Sequence, residues 1–134
     1  MKNPNSKTIL SHDSFKAKNY SRGHEMFMDR PINEGGNDSS ATPIEYLLAA
    51  IGGCVSMTLR VFAKKNKFDL GEITVNVSHK NKLTSTGLVT LLTEEISFEK
   101  EISQEQKEIL LIAAGECPVI QLLKKETIIK SIIV

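Results

Sequence analysis

Cysteine is scarce in this chain. Among 134 residues there are two, Cys54 and Cys117, 63 positions apart, with no Cys-x-x-Cys pair. The three histidines, His12, His24 and His79, stand at no ligand spacing from one another or from a cysteine. A metal site is therefore not expected, and nothing in the sequence calls for a cofactor. Excess charge is lacking too. A formal charge of +1, with no basic stripe and no block of like charge, argues against nucleic acid or anionic lipid as partner. Tyr46 to Leu59 makes fourteen residues without a charge, short of the roughly 18 of a membrane span, and reads as a buried core helix. Gly35-Gly36 is followed by a polar loop without the lysine of a phosphate-binding loop. The opening residues, Met1 to Ser6, are polar and carry no apolar leader, so the expected location is the cytoplasm, where two cysteines are more often free or reactive than a static disulfide.

What is present reads as one α+β domain over residues 1–134, with 40% hydrophobic residues to fill a single core. Thr8–Phe15 and His24–Asp29 are expected strands, joined by a turn over Asn19–Gly23, and Pro31–Ala41 is a loop. Thr42, Pro43 and Glu45 supply an N-cap, a first-turn proline and a capping-box acid, opening a helix that runs to about Lys65. Glu72–His79 alternates polar and apolar residues, and Leu88–Glu99 continues less regularly, so the two form an antiparallel hairpin across Lys82–Gly87. Ser103 and Gln106 make a second capping box, for a helix through Ala114 that Gly115 closes. Pro118 starts a short helix to about Lys125, and Thr127–Val134 reads as a terminal strand.

The candidate chemistry lies in the two thiols. Cys54 sits mid-helix after Gly52-Gly53, where it is either a small core residue beside a close backbone approach or a working thiol activated from elsewhere. Cys117 precedes Pro118 at a helix start, so local donors and the helix dipole nominate it as the more acidic of the two. Glu45 caps the helix. Nine residues, or two and a half turns, put it on the face opposite Cys54, so it could meet a cysteine only from a second subunit. Lys64, Lys65 and Lys67 read as a solvated helix end.

Taken in order, Gly35-Gly36-Asn37-Asp38, then Thr42-Pro43-Ile44-Glu45-Tyr46-Leu47-Leu48-Ala49-Ala50-Ile51-Gly52-Gly53-Cys54, then Cys117-Pro118-Val119 resemble the OsmC/Ohr family, in its OsmC-related branch. The resemblance implies an intertwined homodimer, with antiparallel sheets packed around a long cysteine-bearing helix. It also implies a peroxidase that reduces organic or fatty-acid hydroperoxides, with Cys54 as the thiol attacked by peroxide, Cys117 as the resolving thiol and an external dithiol as reductant. This reverses the local argument for Cys117. Peroxidase members of the family pair the first cysteine with an N-terminal arginine. The matching stretch here, Ser14–Asn19, offers Lys16 and Lys18, with Arg22 and Arg30 nearby but unaligned. The glutamate of those peroxidases falls on Ile44, and Glu45 matches the related branch instead. The expected substrate pocket is apolar and lined by Leu47, Ile51 and Val55 or their neighbours. The competing expectations are a non-catalytic protein that binds a small apolar ligand, and a redox-responsive one.

Overall fold

The computed structural model describes residues 3–134 and is α+β, with two antiparallel sheets and three α-helices among them. It divides into two compact units, Met1–Leu47 and Leu48–Val134.

The first unit holds a three-stranded sheet, β1 (Lys7–Leu10), β2 (Ala17–Ser21) and β3 (His24–Met28), paired in that order. The expected turn over Asn19–Gly23 shrinks to Arg22-Gly23, both with positive φ (50° and 81°), and Ser21 pairs with His24. Two left-handed residues suffice for a tight hairpin whose twist matches that of its strands. Asn19 is thus a strand residue, buried and receiving the Thr8 hydroxyl at 2.6 Å. Thr8–Phe15 is correspondingly shortened to its first half. After β3 comes a single turn of 3-10 helix (Ile32–Glu34), closed by Gly35 at φ 89°.

The long helix α1 (Pro43–Asn66) begins at the capping box read from the sequence: Thr42 N–H donates to Glu45 Oε2 at 2.7 Å and Glu45 N–H to Thr42 Oγ1 at 3.3 Å. Its 24 residues make it long and apolar enough to cross a membrane by those two criteria alone. In this chain it is a core helix. Ile51, Val55, Leu59 and Ala63 recur every fourth residue and are its buried stripe.

In the second unit, β4 (Ile73–Thr84) and β5 (Gly87–Phe98) form a hairpin of two twelve-residue strands, the first four residues longer than the eight read from the sequence and the second shifted by one position. The connection is only Ser85-Thr86, with Thr84 Oγ1 donating to Gly87 carbonyl at 2.8 Å. The inner face of the hairpin lays Ile73, Val75, Val77, Leu92, Ile96 and Phe98 on the α1 core. At Gly52 the helix comes so close to β4 that an added Cβ would lie 3.4 Å from Val77 and 3.5 Å from the Val75 carbonyl. The close approach expected of the Gly-Gly pair is therefore real at Gly52. A Cβ added at Gly53 would meet nothing within 4 Å. Then follow α2 (Gln104–Gly115), with its Ser103/Gln106 capping box formed, and α3 (Pro118–Lys124). Leu70, Leu110, Ala113, Ala114 and Cys117 complete the core with the α1 stripe.

The terminal segment Thr127–Val134 departs from expectation: it forms no strand. Ile128, Ile129, Ile132, Ile133 and Val134 are all exposed. A β-branched sequence becomes a strand only when a neighbour completes its hydrogen-bond ladder, and among the described residues of this chain none does.

Candidate functional site: a thiol pair between α1 and the α2–α3 junction

Cys54 and Cys117 come together in the second unit. Cys54 is half-buried on α1 and packs against the core cluster to which Cys117 belongs. Cys117 is fully buried. Both are free thiols, and the neighbouring Cys54 thiol helps to hold the proton on Cys117.

The α2–α3 junction explains how Cys117 is held. Glu116 closes α2, and the N–H groups of Glu116 and Cys117 return to the carbonyls of Ala113 and Ala114 at 3.1 and 3.2 Å. Cys117 then leaves the helical conformation (φ −55°, ψ 126°) as N-cap of α3, with Pro118 in the first turn, where its missing N–H costs nothing. The backbone N–H groups of Val119 and Ile120 face its sulfur, as the local reading expected, and favour the thiolate. Burial acts the other way and is the larger effect. It pushes the Cys117 thiol above its ordinary value of 9.0, and the neighbouring Cys54 thiol pushes in the same direction. The local expectation of a lowered Cys117 pKa is thereby overturned: the core that closes over it removes the water a thiolate needs.

The first unit holds the other candidate residues. Glu45 is exposed and its carboxylate is taken up by the helix cap, the Thr42 backbone N–H and hydroxyl holding it below its ordinary value. Lys16 lies over the Phe27 ring at 4.8 Å. Lys18 pairs with Glu25 at 3.1 Å and lies over Tyr20 at 5.1 Å; its hydrogen bonds to Tyr20 and then Glu25 raise its pKa. Arg22 occupies the β2–β3 turn. Arg30 reaches Glu34 at 3.6 Å and stacks on Phe15 at 5.2 Å. Lys16, Lys18 and Arg30 thus each have a local partner.

Two structural residues escaped the sequence reading. Asp29 is buried, and its carboxylate accepts the Ser39 hydroxyl at 2.7 Å and the N–H groups of Ser39 and Arg30 at 3.0 and 2.8 Å. These bonds, led by that of the Ser39 side chain, lower its pKa to about 2 and tie the loop after β3. Arg60 donates from α1 to the Gly71 carbonyl, bracing the turn into β4. An aspartate ten residues before a serine carries no signal of this in the sequence.

Of the residues named for the expected pocket, Ile51 and Val55 are sealed in the core and Leu47 is exposed. The second unit instead carries a groove of about 350 Å³ between α1 and α2, lined by Val61, Phe62, Ile109, Ile112 and Ala113 among others. Its α1 residues Thr58, Val61 and Lys65 continue the face of Cys54 at helical spacing. Among the described residues no three of His, Cys, Asp and Glu cluster as metal ligands.

Comparison with known proteins agrees with this architecture. The family model for OsmC-like proteins matches residues 35–131. An OsmC-like protein from Mycoplasma pneumoniae superposes with a TM-score of 0.70 at 22% identity, over 92% of this chain and 88% of that one. A Legionella pneumophila structure described as an organic hydroperoxide resistance protein OsmC gives 0.67 at 18% identity, over 90% and 88% of the two chains. The organic hydroperoxide resistance protein OhrB of Bacillus subtilis gives 0.62 at 18%, over 90% of each. At these identities the structures speak for the fold alone, and no curated protein matches the sequence. With the family match spanning well over half its length, the chain belongs to the OsmC-like protein family.

Proposed function

We propose that the chain is a thiol peroxidase that reduces organic or fatty-acid hydroperoxides with Cys54 and Cys117. The observation that carries this reading is the meeting of its only two cysteines, one half-exposed and one buried, across 63 positions of sequence. The Cys54 sulfur attacks the terminal oxygen of the hydroperoxide, the O–O bond breaks, an alcohol leaves and Cys54 becomes a sulfenic acid. The Cys117 thiol then attacks that sulfur, forming the disulfide and releasing water. An external dithiol reduces the disulfide and leaves as its own disulfide. Burial of Cys117 suits the second role, because a thiol shielded from solvent is spared direct oxidation by peroxide. The apolar α1–α2 groove along the Cys54 face suits a substrate with an alkyl body.

The working form on this reading is a cytoplasmic homodimer. Met57 and Val61 on α1 and Leu111 and Ile112 on α2 are exposed apolar residues, and the unpaired Thr127–Val134 segment has the composition of a strand awaiting a sheet edge. Glu45, whose carboxylate caps α1 within its own chain, would meet a cysteine only across such a dimer. The second reading, a binding protein for a small apolar ligand, is favoured by one observation: Lys16, Lys18 and Arg30 are already engaged locally rather than free to activate a thiolate.

Stopped-flow oxidation of the reduced protein by cumene hydroperoxide and by hydrogen peroxide, with mass spectrometry of the product, separates the readings. Fast oxidation selective for the organic peroxide and ending in a Cys54–Cys117 disulfide is the expected result. Oxidation no faster than that of a free thiol leaves ligand binding as the function.

A further inference from the structure

Gln121 holds the segment that carries Cys117 from both sides. Its side-chain Nε2 reaches back six residues to donate to the Gly115 carbonyl at 2.7 Å, and its backbone N–H donates to the Cys117 carbonyl at 2.9 Å. The last carbonyls of a helix have no partner in the helix itself. At the end of α2, Ala113 and Ala114 are served by the returning N–H groups of Glu116 and Cys117, while Gly115 is served by this glutamine side chain. The bond spans the bend at which the chain leaves α2 and enters α3, and Cys117 is the residue at that bend. Pro118 fixes the backbone on its far side. A side chain that ties Gly115 to α3 therefore restrains the direction in which the Cys117 sulfur points.

We propose that Gln121 is a positioning residue for disulfide formation: its amide clamp on Gly115 keeps the Cys117 thiol aimed at Cys54. Closing a disulfide requires the two α-carbons and both sulfurs in a narrow geometry, so holding one partner in place raises the rate and equilibrium of closure without touching the other. The inference rests on the reading of Cys54 and Cys117 as a working pair, and it deepens that reading by naming what prepares the second step.

The test uses the dithiol chemistry itself, independent of any peroxide. Full-length wild-type protein and the variants Gln121→Met and Gln121→Lys are reduced and equilibrated with oxidised and reduced dithiothreitol. The two thiols and oxidised dithiothreitol exchange to the protein disulfide and reduced dithiothreitol, two electrons and two protons passing between them. Methionine keeps the length and loses the donor; lysine keeps a donor within reach of the carbonyl. The expected result is an equilibrium constant for closure about tenfold lower in Gln121→Met, the order of one hydrogen bond of roughly 1.4 kcal/mol, and restored towards wild type in Gln121→Lys. Alkylation of Cys54 by iodoacetamide, measured in the Cys117→Ser background, should be the same with and without Gln121→Met. Equal closure in wild type and Gln121→Met overturns the inference. So does an equal deficit in both variants, which would mark a packing role rather than a donor role. Should wild type ignore cumene hydroperoxide while the methionine deficit and lysine rescue persist, the peroxidase reading fails and the clamp stands.

Discussion

Cys54 on α1 packs against the core cluster in which Cys117 is buried, and burial, with the neighbouring Cys54 thiol adding to it, keeps Cys117 protonated above the ordinary thiol range. The pair is thus asymmetric: one sulfur half-exposed on α1, the other a proton holder inside the core.

The asymmetry assigns different phenotypes to the two cysteine variants. Cys54→Ser is expected to show no turnover of an alkyl hydroperoxide above the free-thiol background. Cys117→Ser should accept one oxidation, accumulate a sulfenic acid that dimedone traps, and then stall. Full turnover by Cys54→Ser would sink the two-cysteine cycle.

Cys117 also makes stability depend on alkaline pH. A group whose pKa is raised by folding holds more protons in the native than in the unfolded state, so its contribution is complete below the unfolded value and lost as pH rises through the native one. With an ordinary value of 9.0, urea midpoints of the reduced protein should begin to fall above about pH 9. Cys117→Ala should flatten that part of the profile. An unchanged slope in the alanine variant would count against the buried thiol as its source.

Asp29 gives the opposite dependence. Its pKa drops on folding from the ordinary 3.8 to about 2, so its contribution is complete above the ordinary carboxylate range and is lost as pH falls towards the native value. Asp29→Asn is expected to be less stable than wild type at pH 7, with the gap between them narrowing between about pH 4 and 2. A constant gap across that window would show that the carboxylate charge plays no part.

The glycines separate close packing from open space. A Cβ at Gly36 would collide with the Arg30 carbonyl oxygen, a backbone atom that cannot easily yield, so Gly36→Ala should cost about 1–3 kcal/mol in urea denaturation. Gly53 has open space and lies inside α1, so Gly53→Ala should stabilise the lone chain by roughly 1 kcal/mol through helix propensity. If two copies approach one another at Gly53, the gain turns into a loss that grows with protein concentration, and size-exclusion chromatography at several concentrations distinguishes these outcomes.

The sequence by itself determined the elements whose signals are local. Both capping boxes form as read, because a cap is an exchange of hydrogen bonds between residues three apart and needs nothing distant. The alternation of Glu72–His79 and the proline that opens α3 likewise placed a strand and a helix start, and the ordered Gly-Gly, Pro-initiated helix and Cys-Pro-Val motifs pointed to the family that the match over residues 35–131 shows. Tertiary structure decided what depends on neighbours. Local donors favoured a Cys117 thiolate, yet the core packed over the sulfur removed its water and raised its pKa instead. Ile51 and Val55 were read as pocket residues, but a periodic apolar stripe says only that a face is covered, not whether by ligand or by protein. Thr127–Val134 has strand composition and remains unpaired, because a strand exists only with the backbone beside it, and composition cannot say which backbone that is.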